Sequence, residues 1–179
     1  MGKKSRMKKM RKMEAVSSES EPARSKLDIL REKLQENSAR LAEQDPRIMA
    51  IIGVESQEEM RVMDEKHRRF LEYLKEHISF PCIMTGMQDF RWEEFYVLGP
   101  GSRKEYEELK RKNPSYTDHF ELLRFHDDLD YMEGIFVHVR RMSDRKEFDL
   151  ALADLKTVDE ESENYVLLND YSYWFVNYR

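Results

Sequence analysis

The sequence of 179 residues predicts an α+β fold, in which N-terminal helices are followed by a small SH3-like, partly open β-barrel. Helix-type spacing of apolar residues runs to about residue 77, and short alternating segments separated by tight turns follow from Phe80 onward. Several short strands joined by tight turns are typical of small barrels. The length fits one compact domain with an appendage.

The first 55 residues are predicted to lie outside that domain. Residues 1–13 hold seven basic residues and no acidic one, and a Ser- and Glu-rich stretch follows them. Such low hydrophobicity cannot offset the entropy lost on ordering, so this arm is predicted to be disordered. Leucines at every seventh position then predict a helix that stops at Asp45-Pro46. The chain therefore divides into an arm (1–24), a helical extension and linker (25–55) and a domain of one helix plus the barrel (56–179).

The elements of the domain follow from local signals. Two capping boxes, Ser56 to Glu59 and Ser102 to Glu105, predict helices over about 57–77 and 103–112, because Ser and Glu satisfy the free backbone donors of a first turn. Alternation of apolar residues predicts the strands. Strands are predicted over 81–86, 95–98, 120–125, 134–141, 148–153 and 171–178, with a hairpin turn at 143–146 and acidic loops at 127–133 and 159–163.

The charge distribution favours cationic ligands. The chain has 36 acidic and 31 basic residues and a net charge of −5. Because seven bases lie in residues 1–13, the rest of the chain carries 24 − 36 = −12. Such a potential attracts cations and disfavours nucleic acid and anionic lipid. Contact with nucleic acid or an anionic surface is therefore expected only through residues 1–13.

No constellation of catalytic residues is recognisable, so we expect a protein without enzymatic activity. Cys82 is the only cysteine, forms no intrachain disulfide and is predicted to be a buried structural residue. The five histidines show no HExxH motif, and a transition-metal site of His119, His126 and Asp127 is a disfavoured alternative. There is no apolar run of about 20 residues and no apolar secretory signal, which predicts a cytoplasmic protein without a membrane span.

Two acidic clusters are candidate sites for Ca²⁺, a hard cation that binds six to eight oxygens. The first cluster places four carboxylates within seven residues: Asp127, Asp128, Asp130 and Glu133. It is not an EF-hand, because Glu133 and Val139 occupy the positions that require Gly and Glu. The second cluster consists of Asp159, Glu160, Glu161 and Glu163. From the residues alone, solvated acidic loops remain the alternative for both clusters.

The order of aromatic and apolar motifs resembles the cyanobacterial-type, CcbP-like family of calcium-binding proteins. A helix end runs straight into a Phe-Pro strand, a central strand turns into its neighbour, and aromatic residues close the chain. The resemblance spans about 64–179, with an insertion-like stretch around 88–116. It rests on Tyr73-Leu74, Phe80-Pro81, Phe136 to Arg141, Ser143-Asp144, Phe148 to Leu152, Tyr173-Trp174 and Tyr178.

This resemblance implies a small β-rich domain behind one or more helices, no enzymatic activity, and Ca²⁺ binding through negative surface charge. The acid clusters of the family precede the helix and lie before the central strand, where this sequence has Asp64-Glu65 and the cluster at 127–133. Judged by its neighbours Lys66 and Arg68, Asp64-Glu65 alone fits ordinary ion pairing along a helix.

The function we expect is a calcium buffer or sensor of low affinity, with a dissociation constant of roughly 10⁻⁵ to 10⁻³ M. Its metal ligands would come from the two acidic clusters. The alternative is an SH3-like interaction module that binds a protein or nucleic acid through its groove or its basic arm.

Overall fold

The structure is a computed structural model that describes residues 26–179, with only some of the side chains before residue 43. The described residues form helices, one antiparallel sheet and two short 3₁₀ helices. The α-helices are α1 (Lys26–Ile52), α2 (Asp64–His77), α3 (Glu94–Val97), α4 (Arg103–Lys110) and α5 (Glu163–Asn177). The strands are β1 (Ile83–Gly86), β2 (Phe120–Asp130), β3 (Gly134–Arg141), β4 (Glu147–Ala151) and β5 (Leu155–Thr157), and the 3₁₀ helices are Gln57–Glu59 and Leu152–Asp154.

The chain divides into two units at residue 38. The described part of the first unit is the N-terminal portion of α1, where the Leu27 side chain is exposed. The second unit spans 39–179 and contains the remaining elements. The predicted basic arm, 1–24, lies outside the described residues.

The sheet has five antiparallel strands in the order β4-β3-β2-β1-β5. This mixture of helices and antiparallel strands confirms the predicted α+β class. The sheet is not closed, because β4 and β5 form its two edges, and the SH3-like detail is not confirmed. Two bulges in β2 shift its register against β3, after Leu122 and after Phe125.

One face of the sheet packs against helices and forms the core. Inward side chains of β3 alternate as expected, with Ile135, Val137 and Val139 fully buried. The opposing helical layer comes from α2, α5 and the end of α1, which bury large apolar side chains by the hydrophobic effect. It contributes Ile48, Ile52, Phe70, Leu71, Leu74, Leu168, Tyr171, Trp174 and Phe175.

The C-terminal segment corrects the sequence interpretation. Residues 171–178 are predicted as a strand, but the chain forms the helix α5 up to Asn177. The Ser162 side chain accepts the Tyr165 N–H as an N-cap, and Leu168, Tyr171 and Phe175 recur at helical spacing on the buried side. Packing of these side chains therefore outweighs the strand preference of aromatic residues.

Four further predictions are corrected by the structure. The first helix continues through Pro46 to Ile52. The expected helix over 57–77 is a 3₁₀ turn followed by α2 from Asp64, and no Ser56 side-chain cap forms. Between the 3₁₀ turn and α2, the Val62 N–H bonds to the Tyr178 carbonyl, and the Met60 carbonyl accepts the Trp174 Nε1–H. These contacts with the C-terminal segment hold residues 60–62 out of the helix.

The expected strand at 95–98 is the short helix α3. Residues 127–130, expected in a loop, continue β2.

A buried carboxylate fastens the insertion-like stretch 88–116. The Glu93 side chain is fully buried and accepts hydrogen bonds from the Phe90 and Tyr116 backbone amides and from the Ser115 and Tyr106 hydroxyls. A buried carboxylate is tolerated when its oxygens are satisfied in this way.

No described helix is long and apolar enough to cross a bilayer.

Candidate metal centres

A cleft of about 930 Å³ lies between the start of α2 and the end of β2. It brings the acidic pair at the start of α2 together with three acids of the first cluster, although more than 60 residues separate them in the sequence. Its charged lining consists of five acids, Asp64, Glu65, Asp127, Asp128 and Asp130, and four bases, Arg61, Lys66, Arg68 and Arg179.

Asp127 already forms an ion pair with the Lys75 side chain. Its Oδ1 accepts a hydrogen bond from the Lys75 Nζ at 2.7 Å, and the same ammonium contacts Glu72 at 2.9 Å. This Lys75 contact holds the pKa of Asp127 below its ordinary value. The ion pair joins α2 to β2, and a metal ion that binds Asp127 has to compete with it.

The other acids of the first cluster differ in their partners. Asp128 is exposed and forms no ion pair with the part of the chain that the structure describes. One Asp130 oxygen, Oδ1, accepts the Met132 and Glu133 backbone amides at 2.7 and 2.8 Å and so fixes the turn into β3. Glu133 is exposed and adds to the effect of burial in raising the pKa of Asp154.

The second cluster lies in the turn between β5 and α5. Asp159 Oδ1 accepts the Glu161 backbone amide, and Glu160 pairs with Lys156 at 3.6 Å. Glu163 occupies the first turn of α5, where a carboxylate stabilises the positive end of the helix dipole.

The two acidic clusters lie at the ends of different strands. Phe120 and Thr157 both pair with Met84, so the first residues of β2 and the end of β5 lie at the same level of the sheet. Both strands run antiparallel to β1, and β2 then continues to Asp130. The extra length of β2 places the first cluster beyond the level at which β5 ends, and no described hydrogen bond or ion pair joins the two clusters.

Two histidines and one aspartate, none of them among the predicted calcium ligands, converge on the outer face of the sheet. The ligand atoms of His126, His138 and Asp149 all lie within 4.8 Å of one another. Among residues 26–179, these are the three His, Cys, Asp or Glu side chains that lie close enough together to hold one metal ion. Asp149 Oδ1 is 2.7 Å from both His126 Nε2 and His138 Nδ1. These two contacts lower the pKa of Asp149, with His138 the larger cause, and Asp149 followed by Glu147 raises the pKa of His138.

Strand register builds this group. His138 on β3 is directly opposite Asp149 on β4, and the second bulge of β2 follows Phe125, next to His126. The sequence interpretation placed His126 with His119 and Asp127, but Asp127 pairs with Lys75, and His119 is not in the group. The predicted hairpin turn was the available signal, since it places His138 near Asp149; the partner on β2 required the observed bulges.

Cys82 is buried, as expected for a structural residue, with 1% of its surface exposed. Burial raises the pKa of its thiol, which disfavours the thiolate that a nucleophile needs.

Comparison with known proteins gives the family context of this geometry. Residues 103–175, which include β2, β3 and β4, match the CcbP family, described as calcium binding. The match covers less than half of the chain. Among curated proteins none matches the chain.

Two solved structures are similar to this chain. One is a calcium binding protein in the calcium-binding form, with 16% identity, a TM-score of 0.47, and coverage of 74% of this chain and 89% of that one. The other is Anabaena CcbP, also with 16% identity and a TM-score of 0.47, covering 75% of this chain and 89% of that one. The family match supports Ca²⁺ as the ligand, and its description names binding and no reaction.

Proposed function

We propose that this CcbP-like chain is a non-enzymatic calcium-binding protein of low affinity, a buffer or a sensor, that holds Ca²⁺ through surface carboxylates. The family match supports calcium as the ion. The observation that carries the proposed site is the cleft, in which five carboxylates from two distant segments face one space. Oxygen ligands of this kind are those that Ca²⁺ prefers.

The carboxylates of the cleft would contribute in different ways. Asp128 is exposed, and Asp130 uses only Oδ1 in its turn, so both have oxygen atoms available to an ion. Asp127 would exchange Lys75 for the ion. Glu133 and the second cluster, Asp159, Glu160, Glu161 and Glu163, would add weaker binding through their charge.

Low affinity follows from the charges around the cleft. Four basic side chains line it beside the five acids, so the local field is nearly neutral. No three described carboxylates of the cleft have oxygen atoms within 4.8 Å of one another before an ion binds. Among the described residues, the group that meets this limit is His126, His138 and Asp149. Ordering the ligands around the ion therefore opposes binding, and we expect a dissociation constant of roughly 10⁻⁵ to 10⁻³ M.

The Lys75–Asp127 pair offers a way to distinguish a sensor from a buffer. Because this pair joins α2 to β2, an ion that displaces Lys75 changes a contact between two elements. A sensor should then show calcium-dependent NMR shifts at Lys75 and Glu72 as well as at the cleft. A buffer should show shifts at the ligands alone.

The test is calcium titration of a double variant, Asp128→Asn with Asp130→Asn, by calorimetry and NMR at constant ionic strength. Asn keeps the oxygen that accepts the turn amides, so the turn is retained while two charges are lost. We expect calcium affinity to fall by about tenfold or more, which corresponds to roughly 1.4 kcal/mol. The matched control, Glu107→Gln with Glu108→Gln, removes two exposed charges on α4 and should bind calcium almost as the parent does.

Two outcomes would contradict the proposal. One is the absence of any response of the parent chain to millimolar Ca²⁺, or an identical response to Mg²⁺. The other is an equal loss of affinity in the two double variants, which would mean that calcium is attracted only by overall charge and not by the cleft.

A further inference from the structure

The outer face of the sheet carries a second polar centre, which adjoins the acidic cleft at Asp128, Leu129 and Asp130. His126, His138 and Asp149 come from three adjacent strands, and their side chains are 27%, 22% and 53% exposed. A shallow pocket of about 240 Å³ opens beside them and is lined by His126, Asp128, Leu129, Asp130, Phe136 and Asp149. The centre is thus supported by the sheet and accessible to a hydrated ion.

We propose that His126 Nε2, His138 Nδ1 and Asp149 Oδ1 form a binding site for a divalent transition metal of the zinc class. Two imidazole nitrogens and one carboxylate oxygen form a donor set that suits Zn²⁺ and its first-row neighbours. The three proposed zinc ligands are distinct from the proposed calcium ligands, although Asp128 and Asp130 line the pocket beside them.

The two contacts to Asp149 need only a small adjustment to accept an ion. Each histidine nitrogen is 2.7 Å from the same Asp149 oxygen. In a tetrahedral zinc site with bonds of about 2.0–2.1 Å, neighbouring ligand atoms are roughly 3.3–3.4 Å apart. Replacing the shared protons by the ion therefore needs each nitrogen–oxygen separation to grow by roughly 0.6–0.7 Å, and the two nitrogens, already within 4.8 Å of each other, to settle at the same spacing. The pocket leaves room for a water molecule in the fourth position.

His138 also has the outer support that is typical of a metal ligand. Its second ring nitrogen, Nε2, lies 3.0 Å from Glu147 Oε2. The other oxygen of Glu147 accepts hydrogen bonds from Arg140 Nε and Nη2 at 3.0 and 2.8 Å. A carboxylate on the free nitrogen fixes the tautomer and orientation of a ligating histidine. Here this support presents Nδ1 to Asp149.

The other histidines do not offer an equivalent site. The sequence contains five histidines and one cysteine. His67 is buried against Tyr171, the Nδ1 of His77 is bonded to the Tyr73 carbonyl, and Cys82 is buried. His119 is exposed and lies outside the group. Calcium is a poor competitor, because it prefers oxygen to imidazole nitrogen.

The experiment titrates the full chain with Zn²⁺ by calorimetry and with Co²⁺ by visible absorption, which reports nitrogen coordination. We expect one ion per chain at this site, with the ring signals of His126 and His138 shifting in NMR spectra. His126→Gln should weaken Zn²⁺ binding at least about tenfold, and Glu147→Gln should weaken it by roughly tenfold through the loss of outer support. The matched controls His119→Gln and His77→Gln should leave Zn²⁺ affinity unchanged.

The proposal is overturned if His126→Gln binds Zn²⁺ as tightly as the parent, or if the ring signals of His126 and His138 do not respond. In that case the three side chains form only a hydrogen-bonded surface network. Failure of this site and failure of the calcium site are distinguishable, since His126→Gln should leave calcium affinity intact. Millimolar Ca²⁺ should likewise leave Zn²⁺ bound.

Discussion

Gly134 is the first residue of β3 and lies between the acidic end of β2 and the core. It has a φ of +83°, a conformation that L side chains rarely adopt. A Cβ at this position would lie 2.4 Å from the Tyr171 hydroxyl and 2.9 Å from Phe175 Cζ. The Tyr171 hydroxyl also accepts the Ile135 backbone amide at 2.8 Å. The turn that follows Asp130 is therefore fastened to α5 where β3 begins.

Gly134→Ala should destabilise the fold by about 2–4 kcal/mol, because it combines backbone strain with a clash against two buried rings. Urea denaturation followed by circular dichroism measures the change. Met132→Ala in the same turn is the control, since that side chain is 63% exposed and its loss should cost little. A change below about 0.5 kcal/mol for Gly134→Ala would show that the turn is not held by α5.

At the level of elements, α2 and α5 meet through a buried histidine. His67 is 4% exposed and packs among Tyr171, Trp174 and Phe175. Its Nε2 lies 3.0 Å from the Tyr171 hydroxyl, which already accepts the Ile135 amide and so donates its own proton to the ring. His67 Nε2 is therefore an unprotonated acceptor. Burial lowers the pKa of His67 to about 4, against a smaller opposing effect of Asp64.

This lowered pKa predicts a loss of stability in mild acid. The ordinary pKa is 6.5, so between pH 6.5 and about 4 the unfolded chain binds a proton that the folded chain does not. The free energy of unfolding should fall through that window by up to about 3 kcal/mol and then stop responding to His67. Denaturation midpoints at pH 7 and pH 4.5 measure it. His67→Gln, whose amide oxygen accepts the same hydrogen bond, should reduce the pH dependence, whereas His119→Gln should retain it.

An equal pH dependence in the parent and in His67→Gln would contradict this prediction. It would mean that carboxylates alone govern acid sensitivity and that the packing of α2 on α5 tolerates a charged ring.

The elements that were predicted well from the sequence are those defined by local signals, such as alternating apolar residues. Strand β3 runs from Gly134 to Arg141 as predicted, because its alternation coincides with one buried face. Helix α4 begins after Ser102 as expected, although the Ser102 side chain forms no cap. Helix α5 could not be recognised in the same way, since its aromatic residues favour strands in isolation and its buried face exists only against α2 and the sheet.

The candidate sites show the same contrast between what local sequence signals reveal and what depends on tertiary packing. The acids of the cleft are visible in the sequence as a cluster, but their approach to Asp64 and Glu65 depends on how α2 packs beside β2. The group of His126, His138 and Asp149 depends on the register of three strands and on bulges in β2. No spacing rule along the chain encodes a bulge, so a site that crosses strands is hidden from sequence reasoning.

At the scale of the whole molecule, charge is distributed unevenly along the chain. The net charge of −5 combines seven bases in residues 1–13 with the −12 of the remaining residues. The long-range field that attracts calcium is therefore weakened by the arm wherever the arm lies within a Debye length of the cleft. Local ligands and this field contribute separately to affinity.

Deletion of residues 1–13 tests the contribution of the field. The net charge changes from −5 to −5 − 7 = −12. We expect the calcium dissociation constant at low salt to fall by roughly two- to fivefold, because a more negative chain concentrates divalent cations at its surface. Calorimetric titration of the parent and the shortened chain in about 20 mM and 1 M NaCl measures the effect.

In 1 M NaCl the Debye length is about 3 Å, so the two chains should bind calcium with the same, weaker affinity. Replacing the seven bases by glutamine in the full-length chain is the matched control, because it removes the charge and keeps the length. A difference between parent and shortened chain that persists in high salt would mean that the arm contacts the ligands directly. No difference at low salt would mean that the cleft carboxylates alone determine calcium affinity.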